Sequence, residues 1–434
     1  MNRNTLYRIA IVLLVSTCGL LQSCKPKAES SSQAVDSIPL TSPTADQTDA
    51  KQISHKEAVS DSSEEPDTFT ITEPPAYLKL NEFYKKHVSA NGYPIVGSEK
   101  VSDYALKETA FIANIMLAKR PDVKKAMVKG NSRLVVMAHT EFTTDVPEHA
   151  GQTPKLFRDR RARGLGGSQT DPVSSCAEEN VLGFEGDPYS AESILIHEFA
   201  HAIHLRGMVA VDKTFDRRLK ATYDAAMKKG LWLGKYAGNN HHEYFAEGVQ
   251  SWFNDNREND NDHNHVNTRE ELRDYDPGLA EICEEVFRDT EFLYTKPATR
   301  LTGHLSGYDP KSAPIFKWPQ HILDWNEAIR EQKPKTTVTW MDLRKYPVTS
   351  GNTLRSSNSR RMVQLLFVNN RQRRIHFQWV DQNGKRPQRA GFVYKGDIVQ
   401  IRSFDGHVFE VSDENKKPLF FVKAGSNECR VLIE

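Results

Sequence analysis

The residue pattern most able to support chemistry in this chain is His197-Glu198-Phe199-Ala200-His201. Histidines at positions i and i+4 lie on one face of a helix, so both imidazoles can reach a single metal ion. Zinc is well suited to such nitrogen ligands. The glutamate between them is placed to take a proton from a metal-activated water. The motif therefore predicts a zinc site that catalyses hydrolysis.

A zinc site of this kind normally needs a third protein ligand, with water in the fourth position. The metzincin pattern would place glycine and histidine where this chain has His204 and Gly207, so that family is excluded. The remaining common option is a glutamate on a later helix.

Residues 236–253 are predicted to contain that later helix. Asn239 or Asn240 is its predicted N-cap. Glu243 and Glu247 are four residues apart and share one face of the helix, so either carboxylate can point at the ion. An apolar stripe on the same helix consists of Phe245, Val249, Trp252 and Phe253.

The motif HEFAH, followed by Tyr236, Asn240 and Glu243-Tyr-Phe-Ala-Glu247, resembles the catalytic domain of anthrax lethal factor and its relatives, which are gluzincins. The resemblance implies that Glu243 is the third ligand of one Zn²⁺ per chain. It also implies that Glu247 orients a ligand histidine and that Tyr236 stabilises the tetrahedral oxyanion or aids the leaving amine. The substrate would be a peptide or protein.

Two histidine-rich features fall outside that pattern. His204, His241 and His242 either line the site or are partly exposed helix residues, and the second interpretation is favoured. Residues 254–265 are dense in Asn, Asp and His, but they lack the glycine and glutamate spacing of a calcium-binding loop. A solvated loop is expected there.

The elements that must position the motif are mostly helices. Apolar residues at helical spacing predict helices at residues 103–116, 190–206 and 215–229. For the helix that carries the motif, Asp187-Pro188 is the predicted start signal and Gly207 the predicted stop. A strand is predicted at residues 133–137. It is either a structural strand, which is favoured, or the sheet edge on which a peptide is laid.

The last hundred residues change to short strands. Strands are predicted at residues 363–367, 375–379, 398–401, 408–411 and 420–422. The dipeptides Asn383-Gly384 and Asp405-Gly406 mark turns between strands, so a small β-sandwich is predicted.

This C-terminal part resembles the β domain of the von Hippel–Lindau protein, most clearly at Arg402-Ser403-Phe404-Asp405-Gly406-His407. The resemblance implies that Trp379, Ser403 and His407 help to bind a peptide that contains hydroxyproline. The chain departs from that family in having no tyrosine near Arg389 and in having Phe409 in place of a second tryptophan. An accessory structural sandwich is therefore the alternative.

The N-terminus predicts export. An apolar run after Arg3 and Arg8 is too short for a membrane span, and Leu21-Gln22-Ser23-Cys24 resembles a bacterial lipobox. Residues 1–23 are interpreted as a signal peptide. Cys24 then becomes a lipidated N-terminus that anchors the protein to a bacterial membrane, on the periplasmic or cell-surface side. Residues 24–75 are predicted to be a disordered tether because they are rich in Ser, Thr, Asp, Glu and Pro.

Export permits disulfides. Cys176, Cys283 and Cys429 follow the signal region, so at most one bridge can form among them. Cys176 with Cys283 is the predicted pair because both lie in one predicted domain. Three buried free thiols are the alternative.

The whole chain is predicted to be α+β, with a mostly helical zincin-like metallopeptidase domain at residues 76–334 and an all-β sandwich at residues 335–434. Its 58 basic and 57 acidic residues nearly cancel, which argues against a nucleic-acid partner. The leading hypothesis is an exported zinc peptidase. The alternative is a lipid-tethered binding protein with an inactive zincin scaffold, which acts through its C-terminal module. The sequence makes no prediction of the oligomeric state.

Overall fold

The computed structural model describes residues 69–331, 340–387, 390–426 and 428–434. The predicted signal peptide, Cys24 and nearly all of the predicted tether lie outside these residues, as does the predicted domain boundary at 334/335. These therefore stay predictions. Pro66–Glu434 forms one compact unit.

The first part of this unit is built on a mixed five-stranded sheet. Its strands are β1 (Lys86–Ala90), β2 (Tyr93–Gly97), β3 (Arg133–Met137), β4 (Gly164–Leu165) and β5 (Val173–Ala177). The order is β1-β2-β3-β5-β4, with β2, β3 and β5 parallel and the two edge strands antiparallel. Because β3 has a neighbour on both sides, it is a structural strand and cannot be the edge that receives a peptide.

Helices cover this sheet. They are α1 (Asp103–Leu117), α2 (Pro121–Lys129), α3 (Lys155–Arg161), α4 (Glu178–Leu182), α5 (Ile194–Ala202), α6 (Val209–Val211), α7 (Phe215–Lys228), α8 (His241–Trp252), α9 (Arg269–Tyr275), α10 (Pro277–Phe287) and α11 (Gln320–Ala328). α5 contacts β4 and β5, α8 packs against α5, and α10 packs against α8. The sheet and these helices thus form successive layers, with α5 in the middle.

The start of α5 differs from the predicted one. The helix begins at Ile194, well after Asp187-Pro188, because two side chains from elsewhere cap its first amides. The Asp255 carboxylate accepts from the N–H of Ser193 at 2.9 Å, and Asn180 Oδ1 accepts from the N–H of Ile194 at 2.9 Å. These partners satisfy the amides that a helix start leaves unpaired.

The predicted stop at Gly207 is wrong. The chain continues through Gly207 in a π-helical segment, Ile203–Met208, and then into α6. A Cβ at this glycine would lie 2.5 Å from Val123 Cγ1 of α2. Gly207 is therefore needed for close helix packing rather than for helix termination.

The second part is a sandwich of two sheets. Its strands are β6 (Met341–Asp342), β7 (Lys345–Tyr346), β8 (Met362–Asn369), β9 (Ile375–Val380), β10 (Gly391–Val393), β11 (Ile398–Phe404), β12 (Val408–Ser412), β13 (Pro418–Lys423) and β14 (Cys429–Ile433). The sheets have the orders β10-β9-β12-β13-β7 and β11-β8-β14-β6. Inward side chains such as Phe367, Phe377 and Val431 form the core between them. The predicted α+β fold, with helical and β parts, is confirmed.

The two parts share an apolar contact within the compact unit. Leu366, Val368, Ile398 and Leu432, on the outer face of the second sheet, pack with Phe157 and Ile329 of the helical part. The buried guanidinium of Arg430 donates to the carbonyl of Ile329 at 2.8 Å. The sandwich is thus covered by the helical part on one of its faces.

The predicted disulfide does not form. Cys176 lies in β5 of the central sheet and Cys283 in α10, which packs on the far side of α8, so their thiols belong to different layers. Both are buried free cysteines, as is Cys429. The alternative of three buried free thiols is therefore the correct one.

Candidate metal centre

The two histidines of the motif and one later glutamate converge on a single point. His197 Nε2 lies 3.2 Å from His201 Nε2 and 3.2 Å from Glu243 Oε2, and His201 Nε2 lies 3.3 Å from the same carboxylate oxygen. α5 supplies both imidazoles. α8 supplies Glu243 from its first turn, where Asn240 caps the helix by accepting from the amides of His242 and Glu243.

This triangle has the dimensions of a tetrahedral metal site. Ligand atoms at the 2.0–2.1 Å distances typical of zinc are about 3.3–3.4 Å apart at the corners of a tetrahedron. The three donors fit that spacing, and two imidazoles with one carboxylate suit a divalent transition ion. Glu247, the other carboxylate that the sequence left open, does not belong to the triangle.

The electrostatics of the triangle favour a positive charge at its centre. Burial opposes charging of His197, but the carboxylates of Glu243 and Glu198 outweigh it and raise its pKa well above the usual value. Burial by itself would raise the pKa of Glu243, but the two imidazoles hold this pKa well below its usual range. A cation bound between the imidazoles and the Glu243 carboxylate would supply the positive charge that the carboxylates favour.

Two further predicted residues lie beside the triangle. Glu198 is half-buried, and burial raises the pKa of its carboxyl. The Tyr236 ring lies 6.2 Å from the His197 ring, and the nearby Glu243 carboxylate, together with burial, raises the pKa of its phenol well above the usual value. The phenol is thus a protonated hydrogen-bond donor at neutral pH.

The partner that orients His197 was not foreseen. His197 Nδ1 donates to Gln250 Oε1 at 2.7 Å, whereas Glu247 Oε1 lies 3.5 Å away. Gln250 in turn donates to Glu192 Oε2 at 2.9 Å. Glu247 is occupied instead by Asn256 and His263. Gln250 follows Glu243 by seven residues, so helical spacing places both on one face of α8. This spacing is the signal in the sequence that could have identified Gln250.

The histidine-rich loop at residues 254–265 supports the site from outside. Its backbone carbonyl at Asp262 accepts from the N–H of Tyr236 at 2.7 Å, and that at Asp260 accepts from Lys235 Nζ at 2.8 Å. His263 is buried against Glu247. The loop is therefore packed at the site rather than simply solvated, and within the described residues it holds no metal-ligand cluster.

The edge strand β4 passes directly over α5. A Cβ at Gly164 would lie 3.1 Å from Glu198 Cγ, and a Cβ at Gly166 would lie 2.5 Å from His201 Cβ. Only glycine permits this approach. This segment thus lies close against the part of α5 that carries Glu198 and His201.

A positive side chain at the end of α3 acts electrostatically on the site and was missed from sequence. Burial raises the pKa of Glu198, and the Arg161 guanidinium acts against that rise. Arg161 Nε lies 3.9 Å from the carboxylate of Asp397, a residue of the sandwich. Arg161 thus contacts the β part and also acts electrostatically on Glu198.

The three residues predicted to form a peptide groove in the sandwich lie together. The rings of Trp379 and His407 are 5.3 Å apart, and His407 Nδ1 shares a hydrogen bond of 3.1 Å with Ser403 Oγ. Trp379 also packs against the sandwich core. The position near Arg389 lies outside the described residues.

Comparison with known proteins gives little further guidance. No family model and no curated protein matches the chain. Among solved structures, 24 chains match, including the PRO-PRO endopeptidase PPEP-2 from Paenibacillus alvei. That alignment has 16% identity and a TM-score of 0.24, and it covers 44% of this chain and 96% of that one. The chemistry of the site therefore has to be inferred from its own residues.

Proposed function

We propose that the protein is a zinc-dependent peptidase. The observation that carries this proposal is the triangle of donors from His197, His201 and Glu243, with Glu198 beside it on the same helix. A Zn²⁺ ion held there would polarise a peptide carbonyl and lower the pKa of the attacking water.

The remaining steps belong to side chains of this chain. Glu198 accepts the proton of the attacking water and delivers it to the leaving amine, a role favoured by the raised pKa of a buried carboxyl. Tyr236 donates a hydrogen bond to the oxygen on which negative charge develops. Gln250 holds the His197 ring through Nδ1, which fixes the direction of Nε2.

The edge strand β4 supports an extended peptide as substrate. Its close approach to Glu198 and His201 would place a peptide paired along its outer edge across the metal centre. Main-chain pairing of this kind binds a peptide largely independently of its side chains.

The test uses residues 66–434, because Phe69 belongs to the core. Bound metal is measured, and cleavage of a peptide library is profiled with and without a chelator. Glu198→Gln should retain the metal and lose hydrolysis, because it removes the base and leaves the ligands. The control Glu258→Gln, at an exposed glutamate, should retain both the metal and hydrolysis. Metal loss in Glu198→Gln, or undiminished cleavage, would contradict the proposal.

A second candidate function is peptide binding by the sandwich. The observation that favours it is the cluster of Trp379, Ser403 and His407, in which an aromatic wall stands beside two hydrogen-bonding groups. Such a wall suits a proline-like ring. Chemical-shift titration of the Glu198→Gln protein with proline-rich and hydroxyproline-containing peptides tests it. Unmoved signals at these residues at millimolar peptide would exclude a groove.

Export and lipid anchoring at Cys24 complete the proposal. The lipobox-like Leu21-Gln22-Ser23-Cys24 supports it. Metabolic labelling with a radioactive fatty acid should mark the wild-type chain and leave Cys24→Ala unlabelled and released from membranes. Labelling of the variant would place the lipid elsewhere.

A further inference from the structure

Four polar side chains outside the catalytic triangle meet where three helical segments join. His204 comes from the π-helical segment Ile203–Met208, Asp216 from the first turn of α7, and His241 and His242 from the first turn of α8. His204 is fully buried, whereas the Asp216 carboxylate is 41% exposed. The group is therefore closed on one side and open to solvent on the other.

One carboxylate oxygen organises the group. Asp216 Oδ1 accepts from His204 Nε2 at 3.0 Å and from His241 Nε2 at 3.0 Å. The His242 ring lies beside these two imidazoles, with ring centroids 5.2 Å from His204 and 4.0 Å from His241. Three imidazoles thus surround a single carboxylate.

Hydrogen bonds leave part of this group unsatisfied. Within the described residues, His204 Nδ1 has no hydrogen-bond partner although the whole ring is buried. Buried polar atoms in native proteins almost always have one. Ligand atoms of His204, Asp216 and His242 also lie within 4.8 Å of one another, so side-chain rotations that bring them to the spacing of about 3.3–3.4 Å between tetrahedral zinc ligands would let one ion bind all three.

We propose that His204, Asp216 and His242 bind a second Zn²⁺ ion, with His241 as a neighbouring imidazole that holds the Asp216 carboxylate. Imidazole nitrogen with one carboxylate oxygen favours zinc over Ca²⁺ or Mg²⁺, which prefer oxygen ligands throughout. Entry is from the solvent side of Asp216. The ion would join the π-helical segment, α7 and the start of α8.

Such an ion acts on the catalytic centre through the backbone. His242 directly precedes Glu243, and His204 follows His201 by one helical turn. Binding at the second site would therefore fix two elements that carry catalytic ligands. A π-helical segment inside an α-helix is often found at functional sites, and here it places His204 toward α7 and α8.

The two sites can be separated by mutation, so failure of the proposed peptidase function does not decide the second site. The full chain is dialysed against zinc, passed over a desalting column and analysed by elemental mass spectrometry. We expect about two zinc ions per wild-type chain and about one in a His197→Ala/His201→Ala variant. Adding Asp216→Ala to that variant should remove the remaining ion.

Substitution in the wild-type background gives an independent measurement. Asp216→Asn and His204→Gln should each lower the zinc content from about two to about one per chain. They should also reduce the rise in melting temperature on adding zinc, because an ion that binds only the folded state stabilises it. The control is His321→Gln, an exposed histidine on α11, which should retain about two ions.

Cobalt substitution guards against a variant that fails to fold. In the folded His197→Ala/His201→Ala protein, Co²⁺ should produce visible absorption typical of a low-coordinate nitrogen and oxygen site, and Asp216→Ala should abolish it. Absence of that absorption in the folded double variant would overturn the proposal. A wild-type content of one zinc, unchanged by Asp216→Asn, would do so as well.

Discussion

At the residue scale, the metal centre depends on atoms that meet to within a few tenths of an ångström. The three donors are 3.2–3.3 Å apart, so moving any one of them by a side-chain rotation breaks the triangle. The residues that prevent such rotation are as important as the ligands themselves. For His197, that residue is Gln250.

The third ligand and the orienting residue can be distinguished by their effects on metal affinity. Gln250→Ala should weaken zinc binding about 10- to 100-fold, because His197 loses its 2.7 Å hydrogen bond. Glu243→Ala should weaken it more, since a ligand atom is removed. Glu247→Ala is the comparison, and competition with a zinc-binding dye is the measurement. A larger effect at Glu247 than at Glu243 would reassign the ligand.

Tyr236→Phe should retain metal and substrate binding while lowering the turnover number. Only the transition state uses the phenol as a donor, and losing one such donor costs on the order of 100- to 1,000-fold in rate. Steady-state kinetics with a peptide substrate separates kcat from KM. An unchanged kcat would make Tyr236 a packing residue.

At the element scale, α5 and α8 each begin at a side-chain cap. Asn240 caps α8 so that Glu243 enters on its first turn, and Asp255 caps α5 from a distant part of the chain. The edge strand β4 then lies against α5 at Gly164, and the residue that follows the strand, Gly166, lies against His201. Together, these contacts position α5 and α8, and with them the side chains of His197, His201 and Glu243.

Gly166→Ala tests the contact between β4 and α5. Its Cβ would lie 2.5 Å from His201 Cβ, so strand or helix must shift. Overpacking of this kind costs about 1–3 kcal/mol. If that cost falls on the bound state, zinc affinity drops about 5- to 150-fold. Gly151→Ala, where nothing lies within 4 Å, is the matched control for the same measurement. Equal affinities in the two variants would show that β4 yields freely.

At the scale of the whole molecule, the sandwich and the helical part share more than a linker. The apolar face of Leu366, Val368, Ile398 and Leu432 is covered by the helical part, and Asp397 of the sandwich lies 3.9 Å from Arg161 of α3. Arg161 thus contacts the sandwich and also acts electrostatically on Glu198.

The sandwich should nevertheless fold alone when expressed as residues 335–434. Its main core is formed entirely by residues of its own segment. In the isolated segment, the apolar face that the helical part covers in the full chain is exposed. This face should make the segment self-associate, since exposed apolar patches favour association. Leu432→Ser should reduce that association, as measured by sedimentation, without loss of β structure in circular dichroism. A disordered spectrum from the isolated segment would show that the helical part is required for folding.

Local patterns in the sequence determined much of this protein. The i, i+4 histidines, the apolar stripe of α8 and the short apolar strands of the sandwich all follow from rules that act over a few residues, and so does the Asn240 cap, one of two that the sequence offered. The grouping of Trp379, Ser403 and His407 was also expected, from resemblance to a known family.

Only the tertiary structure decided which distant residues complete these elements. Asp255 at the start of α5, the packing role of Gly207, the free thiols and the cluster around Asp216 all depend on contacts between segments far apart in sequence. No local period encodes such contacts, because they are set by how whole layers pack. Local sequence patterns thus identified the candidate ligand residues, and the tertiary structure decided which distant residues position them.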